Sequence, residues 1–187
     1  MERALAPLTS VLAHVPESIR VVGTASSLLR GIDLPVGDVD VLARDRGTVM
    51  RLSTAAADAG AACLVDPTEA GPQYFAEFET AGVHVSFSTV EVAGSAVGEC
   101  IGAWPWRHFD LIELGGSPLP LVASELRLLS EVMRLRPDRW EPIGRHLSEV
   151  GVDDELFAAA LSRLEAHPSL QEIMRDAIRP SADRNRG

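Results

Sequence analysis

The sequence of 187 residues predicts an α/β (α+β) fold, in which a mixed sheet with flanking helices over residues 1–118 precedes a helical domain over residues 119–187. Three observations lead to this prediction. Before Gly115, short β-branched or alternating apolar runs take turns with helix-like segments. After Val122, apolar residues recur at the helical period. Between them, the segment GGSPLPLV is rich in glycine and proline, which is typical of a boundary.

Local patterns predict the first four elements. Ile19–Gly23 is a β-branched run that ends in glycine, which favours a buried strand. The next letters, TASSLLRGI, are typical of a short helix that begins near Thr24 or Ser26. Asp38–Ala43 alternates polar and apolar residues, as a strand with one buried face does. Arg46–Gly60 has the pattern of a helix that ends at a glycine C-cap.

The remaining elements are a hairpin, two short strands and a set of helices. The runs QYFAEFET and GVHVSFSTVEV alternate and meet at a tight corner, Thr80–Ala81–Gly82, which predicts a hairpin. ACLVD predicts a strand before the hairpin, and HFDLIEL can add an edge strand after it. In the C-terminal part, Leu126, Leu129, Val132 and Met133 form one helical stripe, and three further helical segments follow.

The composition limits the classes of function. The formal net charge of −10 argues against tight binding to a nucleic-acid backbone, because that affinity comes mainly from cations that neutralise phosphates. All 17 basic residues are arginine, so a phosphate site needs arginine, backbone N–H groups or a metal. The sequence lacks an apolar run long enough to span a membrane and a secretory signal pattern. Cys63 and Cys100 lack metal-ligand spacing, so we expect buried thiols in a reducing cytoplasm.

Two aspartates within an apolar run point to phosphate chemistry. On a strand, Asp38 and Asp40 lie on the same face, because side chains alternate. Two such carboxylates repel each other unless a cation such as Mg²⁺ lies between them. Upstream, a strand ends at Gly23 and a helix begins at Thr24, which lets a phosphate approach free backbone N–H groups. Together these features suit phosphoryl or nucleotidyl transfer.

These residues resemble the signature of the nucleotidyltransferase superfamily, typified by DNA polymerase beta and by aminoglycoside and lincosamide nucleotidyltransferases. In those proteins a strand, Gly-Gly or Gly-Ser, and a helix precede Asp-hydrophobic-Asp on the next strand. Here Gly23-Thr24 and Asp38-Val39-Asp40 match, with thirteen residues between them and threonine in place of serine. The resemblance implies that Gly23 and Thr24 hold the nucleotide's phosphates and that Asp38 and Asp40 bind Mg²⁺. Without it, a surface hairpin with solvated aspartates explains the same residues.

Two residues of the intervening helix are further candidates for the phosphates. Ser26 lies near the predicted start of that helix. Arg30 lies at its end, where it could reach a phosphate or simply be solvated.

The resemblance also shows a departure. Active members of the superfamily usually carry a third acidic residue on a later strand, as metal ligand and base. The matching triplet here is Val85-Ser86-Phe87, and Ser86 supplies no charge and no base at neutral pH. Glu77 or Glu91 can stand in, or His84, which shares a strand face with Ser86, can serve as the base. Alternatively, the protein binds a nucleotide without turning it over.

Other side chains are weaker candidates. Part of the C-terminal half resembles abortive-infection-type nucleotidyltransferase-like proteins, with Glu125, Arg136, Asp138 and Arg139 as the counterparts of their motif residues. Helix capping and surface ion pairs explain those four residues equally well. A second set of candidates is Trp104, Trp106 and Arg107. These side chains can stack on a base or a sugar, or the tryptophans can instead pack into the hydrophobic core.

From these residues and the resemblance we expect a Mg²⁺-dependent enzyme that moves a nucleoside monophosphate from a nucleoside triphosphate, such as ATP, to a hydroxyl group. The acceptor is a small molecule or a protein, and the acidic charge favours a small molecule over nucleic acid. The alternative is a degenerate nucleotidyltransferase that binds or regulates a protein partner, for instance within a toxin–antitoxin pair. We expect either protein to be cytoplasmic and not membrane-bound.

Overall fold

A mixed sheet of seven strands forms the centre of the protein in the computed structural model, which describes residues 12, 15–35, 37–89, 98–100, 102–165 and 167–179. The strands are β1 (Ile19–Val22), β2 (Asp38–Ala43), β3 (Ala62–Ala70), β4 (Gln73–Thr80), β5 (Val83–Thr89), β6 (Phe109–Leu114) and β7 (Ser117–Val122). Their order across the sheet is β3-β4-β5-β2-β1-β7-β6. The β1–β7 and β2–β5 pairs are parallel, and the other neighbours are antiparallel. This sheet confirms the predicted fold class.

Seven α-helices accompany the sheet within the described residues. They are α1 (Gly23–Leu29), α2 (Arg46–Asp58), α3 (Trp104–Arg107), α4 (Ser124–Met133), α5 (Pro137–Val150), α6 (Asp154–Ser162) and α7 (Pro168–Ala177). Pro16–Ser18 and Gly98–Cys100 form short 3-10 turns. In this part of the chain, every helix is too short or too polar to cross a membrane.

The two faces of the sheet differ in character around β2 and β5. Val39 and Val41 of β2 and Val85 and Phe87 of β5 are fully buried in the core that also contains residues of α2. Because side chains alternate along a strand, the residues between them lie on the opposite face. The polar positions of both strands therefore share that face of the sheet.

The register between β2 and β5 brings the predicted site residues side by side. In this parallel pair, Asp38 lies opposite His84, and Asp40 lies opposite Ser86. On the other side of β2, Asp40 lies opposite Val22, the last residue of β1. Since α1 begins at the residue after Val22, the turn between β1 and α1 adjoins Asp40.

The C-terminal helices pack around α4. Every residue of α4 from Ser124 to Val132 is buried. Helices α5 and α7 approach each other closely at Gly144, where a Cβ atom would lie only 2.3 Å from the carbonyl oxygen of Ala177. The absence of a side chain at Gly144 therefore allows the two helices to meet, and a helical C-terminal part follows the sheet as predicted.

The segment that resembled a boundary is a strand of the sheet. Ser117–Val122 forms β7, which pairs with β1 at Leu121 and with β6 along its length. The expectation that GGSPLPLV interrupts the pattern is therefore wrong, because Pro118 and Pro120 occupy strand positions that do not need their missing N–H groups. The sheet continues past the predicted limit at residue 118, and the division into two domains stays a prediction.

The two cysteines are not joined by a disulfide, and they are not both buried. Cys100 is half-buried, whereas Cys63 is exposed on β3, the strand at one edge of the sheet. The expectation of two buried thiols is therefore wrong for Cys63. An edge strand has a neighbour on one side only, so its side chains are less covered.

Candidate active site

Asp40 and Ser86 form the centre of the candidate site. The hydroxyl of Ser86 donates a hydrogen bond to Oδ1 of Asp40, with 2.8 Å between the two oxygens. Asp40 is half-buried, and burial raises the pKa of its carboxyl group. The Ser86 hydrogen bond opposes this shift, and the negative charge of the exposed Asp38 adds to it. A cation beside the two aspartates would stabilise their charged forms.

Gly23 places the backbone directly against Asp40. Its φ of +65° is a conformation that residues with a side chain rarely adopt. A Cβ atom at this position would lie 2.7 Å from Oδ2 of Asp40, closer than a normal contact. The turn between β1 and α1 therefore requires glycine for two reasons, its backbone angle and the neighbouring carboxylate.

The backbone N–H group of Gly23 already has a hydrogen-bond acceptor within the protein, the carboxylate of Glu99. Its Oε2 accepts a hydrogen bond from the Gly23 amide, with 3.1 Å between oxygen and nitrogen. The residue is 2% exposed, and its own amide donates to Oγ of Ser130 on α4 at 3.1 Å. A buried carboxylate thus lies where the sequence predicts a phosphate. The sequence analysis did not single out Glu99, because nothing in the letters VGEC indicates a contact with residue 23.

A buried group of charges holds Glu99 in place. Arg127 donates hydrogen bonds to Glu99 and to Glu131, and all three side chains are almost fully buried. Arg134 and Arg139 lie farther off, with nitrogens 3.6 and 3.8 Å from Oε1 of Glu131. Burial raises the pKa of Glu99, although Arg127 lowers it. Two carboxylates therefore compete for one fully buried arginine.

A cavity of about 330 Å³ lies between the Gly23 turn, Asp40 and Glu99. It is lined among others by Gly23, Asp40, Glu77, Ser86, Glu99 and Arg134. Its volume lies at the lower end of the range for small-molecule sites. Three acidic residues, Asp40, Glu77 and Glu99, and one arginine, Arg134, are among its lining residues.

The proposed stand-ins for the missing acid lie beside Ser86. Asp40, Ser86 and Glu77 form one row across β2, β5 and β4, because each faces the next in the strand register. Glu77 and His84 are diagonal neighbours across β4 and β5, with 3.3 Å between Oε2 and Nε2, and both are partly exposed. His84 thus lies between Glu77 and the position of Asp38. Glu91 lies outside the described residues.

Of the other predicted phosphate ligands, Arg30 points away from Asp40, and Thr24 and Ser26 are covered. Arg30 donates to Asp110 and to the carbonyl oxygen of Val122, each at 2.6 Å, and lines a separate cavity of about 700 Å³. Its place in the fold therefore does not support a role beside Asp40. Thr24 and Ser26 are both buried, and the hydroxyl of Ser26 donates to the carbonyl oxygen of Gly23 at 2.9 Å.

The tryptophans and the C-terminal candidates have structural contacts. Arg163 lies over the ring of Trp104, and Arg20 and Arg44 lie over that of Trp106. The set that resembled a family motif is dispersed: Glu125 accepts the amide of Asp153, Arg136 pairs with Asp138 at the surface, and Arg139 approaches Glu131. Arg107 lines the cavity beside Arg30. These contacts fit the structural explanations of the same residues.

The donors fit a metal ion that is shared with a phosphate ligand. Within the described part of the chain, no group of three or more histidine, cysteine, aspartate or glutamate residues could hold a metal ion. Asp38 and Asp40 are two hard oxygen donors on one face. Mg²⁺ is commonly held by one or two carboxylates together with substrate phosphates and water. The site thus lacks an all-protein cage but suits a metal–nucleotide complex.

Comparison with known proteins gives a match at the level of structure. No protein-family model matches the sequence, and no curated protein sequence does either. A solved structure from Thermotoga maritima, of a protein provisionally named a nucleotidyltransferase, matches with a TM-score of 0.55 at 16% identity, over 79% of this chain and 92% of that one. An antigenic nucleotidyltransferase-like protein from Paracoccidioides brasiliensis matches with a TM-score of 0.48 at 13% identity, over 96% of each chain. The chain therefore has the fold of the nucleotidyltransferases.

Proposed function

We propose that this protein is a Mg²⁺-dependent nucleotidyltransferase that moves a nucleoside monophosphate from a nucleoside triphosphate to a hydroxyl group. One observation carries the proposal. Asp38 and Asp40 share a strand face, and Asp40 adjoins the Gly23 turn in a cavity of about 330 Å³. In this fold, paired carboxylates beside a glycine turn suit a metal-bound triphosphate.

The side chains would divide the work as follows. Asp38 and Asp40 would hold Mg²⁺, and Ser86 would fix the orientation of Asp40 through its hydrogen bond. When bound, the metal would stabilise the negative charge that develops at the α-phosphate. The acceptor oxygen would form a bond to the α-phosphorus as the bond to pyrophosphate breaks. The acceptor's proton would pass to His84, whose Nε2 faces Glu77.

The position of Glu99 adds a condition to this proposal. A phosphate oxygen that takes the N–H group of Gly23 must replace the carboxylate of Glu99 there. Glu99 is held by Arg127 and by the Ser130 contact of its backbone, so the exchange costs those interactions. We therefore expect nucleotide affinity to be modest, with the metal contributing much of the binding free energy.

The acceptor is inferred from charge. The formal net charge of −10 supports a small molecule, particularly a cationic one, over nucleic acid. Acidic residues Asp40, Glu77 and Glu99 line the cavity, which also suits a cationic acceptor. A protein hydroxyl is the other candidate acceptor. We propose a cytoplasmic location, because no disulfide joins Cys63 to Cys100.

Two observations favour a second candidate, a binding or regulatory protein of the same fold without full catalytic activity. Ser86 lies where the third carboxylate is expected, and Glu99 holds the amide that a phosphate would use. Such a protein would bind a protein partner, for instance within a toxin–antitoxin pair.

Calorimetry distinguishes the two candidates. Each nucleoside triphosphate is titrated with Mg²⁺ into the wild type, the Asp38→Ala/Asp40→Ala double variant and a control, Asp33→Ala/Asp58→Ala, whose aspartates are exposed elsewhere. The proposed enzyme predicts binding that only the first double variant abolishes, with release of pyrophosphate on a suitable acceptor. Binding without turnover on any acceptor favours the regulatory protein. No Mg²⁺-dependent binding to the wild type overturns the enzymatic proposal.

A further inference from the structure

Strand β6 ends one side of the sheet and is poorly protected. Among the described residues, no strand pairs with its outer edge. Its side chains Phe109 and Leu111 are 38% and 61% exposed. Natural edge strands are usually blocked by lysine, proline or charge, because free N–H and C=O groups recruit other strands. The letters FDLIEL contain neither lysine nor proline, and of the two charged residues Asp110 is paired with Arg30 of the same chain, so only Glu113 remains to protect this edge.

The prolines of β7 indicate which backbone groups of β6 point outward. Pro118 and Pro120 lie opposite Glu113 and Leu111 and have no N–H group to donate. In an antiparallel pair, residues that exchange two hydrogen bonds alternate with residues that exchange none. The pairs that contain proline are therefore pairs that exchange no hydrogen bonds, and the pair of Phe109 with Val122, two positions away, is of the same kind. The N–H and C=O groups that point to the free edge belong to Phe109, Leu111 and Glu113.

The same edge carries two arginines, Arg20 and Arg44, whose positive charge the exposed Glu17 of the same cavity compensates only in part. Arg20 lies 3.8 Å above the ring of Phe109, and Arg44 lines the same cavity of about 460 Å³ as Phe109 and Leu111. Arg20 donates to backbone carbonyl oxygens, and neither arginine has an ion-pair partner within the described residues. In a protein of formal net charge −10, this cationic and apolar patch suits an acidic, apolar partner strand.

We propose that β6 pairs with β6 of a second copy of this chain, antiparallel about a two-fold axis at Leu111. Residues that lie directly opposite each other in a sheet are on the same face, and successive residues alternate between the faces. A two-fold axis perpendicular to the sheet must therefore pass through a pair made by the same residue of each copy. An axis at Leu111 places Leu111 against the partner's Leu111 and Phe109 against the partner's Glu113. The partner's Glu113 then lies on the same face of the sheet as Phe109, where Arg20 and Arg44 also lie.

This register agrees with the directions of the backbone groups at the edge. The residues that direct backbone groups outward become the pairs that exchange two hydrogen bonds. On the opposite face, Asp110 lies against the partner's Ile112. An axis at Asp110 would instead place two carboxylates together, which is unfavourable. The exposed Val150, which lines a cavity with Ile112 on that face, would also be covered in part.

The oligomeric state of the full chain tests the pairing. Sedimentation velocity over a concentration series is expected to show a reversible dimer in the wild type. Leu111→Lys puts a charge at the centre of the pairing and is expected to weaken the dimer by more than about tenfold, since each 1.4 kcal/mol corresponds to a factor of ten. Leu64→Lys is the matched control, because Leu64 is a 52% exposed leucine on β3, the opposite edge.

A charge exchange tests the register. Glu113→Arg places two like charges at each end of the pairing and is expected to weaken the dimer, as is Arg44→Glu. The double variant restores opposite charges and is expected to recover the affinity lost in Glu113→Arg. Circular dichroism of each variant establishes that it folds. A monomeric wild type, dissociation by Leu64→Lys instead of Leu111→Lys, or no recovery in the double variant would overturn the proposal.

Discussion

The carboxylate of Glu99 accepts a hydrogen bond from the backbone amide of Gly23, although 76 positions separate the two residues in sequence. The amide is the group that a nucleotide's phosphate would use in the proposed function. An internal anion and an external anion therefore compete for one donor. The contact also lies beside Asp40, whose Oδ2 faces the missing Cβ position of Gly23.

Removal of the charge on Glu99 is expected to strengthen binding of phosphate ligands. Glu99→Gln keeps the size of the side chain but replaces a negative group at the Gly23 amide by a neutral one. We expect affinity for Mg²⁺–pyrophosphate and for Mg²⁺–nucleoside triphosphates to rise by about tenfold, as lost charge repulsion of about 1.4 kcal/mol would give. Calorimetry measures it.

Glu125→Gln is the matched control for this prediction. Glu125 is also a buried glutamate that accepts a backbone amide, but its donor is Asp153, away from the cavity with Asp40. Its replacement is expected to leave affinity unchanged. Equal affinity of the wild type and Glu99→Gln for the same ligand would show that Glu99 does not compete with phosphate.

The raised pKa of Glu99 leads us to expect that the stability of the protein depends on pH. Burial raises the pKa of Glu99 above its ordinary value of 4.5. A raised carboxyl pKa means that the folded protein holds this proton more tightly than the unfolded chain. The stability contributed by the protonated form is full below pH 4.5 and is lost as pH rises through the folded pKa. Glu99→Gln removes this loss.

Urea unfolding at about pH 5 and at about pH 8 tests the sign of this linkage. The free energy of unfolding of Glu99→Gln minus that of the wild type is expected to increase between the two pH values. A decrease would mean that the Arg127 ion pair outweighs burial and that Glu99 has a lowered pKa in the folded protein.

Local patterns were enough to predict one side of the site. The order strand, glycine, helix and strand follows from residues 19–43, and the structure has β1, α1 and β2 there. Alternation alone placed Asp38 and Asp40 on one face, and the register with His84 and Ser86 agrees. Their binding of a metal stays a prediction.

The other side of the site depends on contacts that no local pattern records. Glu99 and Arg127 meet because a short turn packs on α4, and each is unremarkable in its own segment. Arg30 shows the reverse case. Its helix was predicted, but the direction of its side chain toward Asp110 and Val122 depends on β6 and β7. Strand β7 was not predicted, because prolines such as Pro118 and Pro120 are more typical of turns and boundaries than of strands.

A side chain at position 23 is expected to destabilise the fold by two separate effects. Gly23→Ala forces alanine into a positive φ, which costs about 1–2 kcal/mol. Its Cβ would also lie 2.7 Å from Oδ2 of Asp40. Gly31→Ala is the matched control, because Gly31 has a φ of +82° but no atom within 4 Å of its Cβ position.

Chemical denaturation is expected to show a larger loss for Gly23→Ala than for Gly31→Ala. Combining Gly23→Ala with Asp40→Ala removes the carboxylate and should recover the difference between them. Equal losses in the two single variants would mean that Asp40 moves aside freely. The close approach of backbone and carboxylate would then not be a fixed feature of the site.

Arg127 is expected to contribute strongly to the stability of the fold. Arg127→Met leaves Glu99 and Glu131 buried without their shared cation, and breaking such a buried ion pair typically costs about 3–5 kcal/mol. Addition of Glu99→Gln removes one of the stranded charges and should recover part of the loss. Arg136→Met, which breaks an exposed pair with Asp138, is expected to change stability little. Thermal unfolding measures all variants.

Restoration of an acid at position 86 tests the missing carboxylate without an activity assay. Ser86→Asp places a negative charge where a hydroxyl now donates to Oδ1 of Asp40 at 2.8 Å. Without metal, repulsion from Asp40 and Asp38 is expected to lower stability by about 1–2 kcal/mol, since one pKa unit corresponds to 1.36 kcal/mol. With Mg²⁺, three carboxylates can share the cation, so the lost stability should return.

The difference in Tm with and without Mg²⁺ is therefore expected to be larger in Ser86→Asp than in the wild type. Ser88→Asp is the matched control, because Ser88 lies on the same face of β5 but opposite Leu42 rather than an aspartate. It adds the same charge to the same cavity without joining Asp40. If Mg²⁺ stabilises Ser86→Asp no more than Ser88→Asp, the aspartates of β2 do not form a metal site, and the proposed chemistry fails with them.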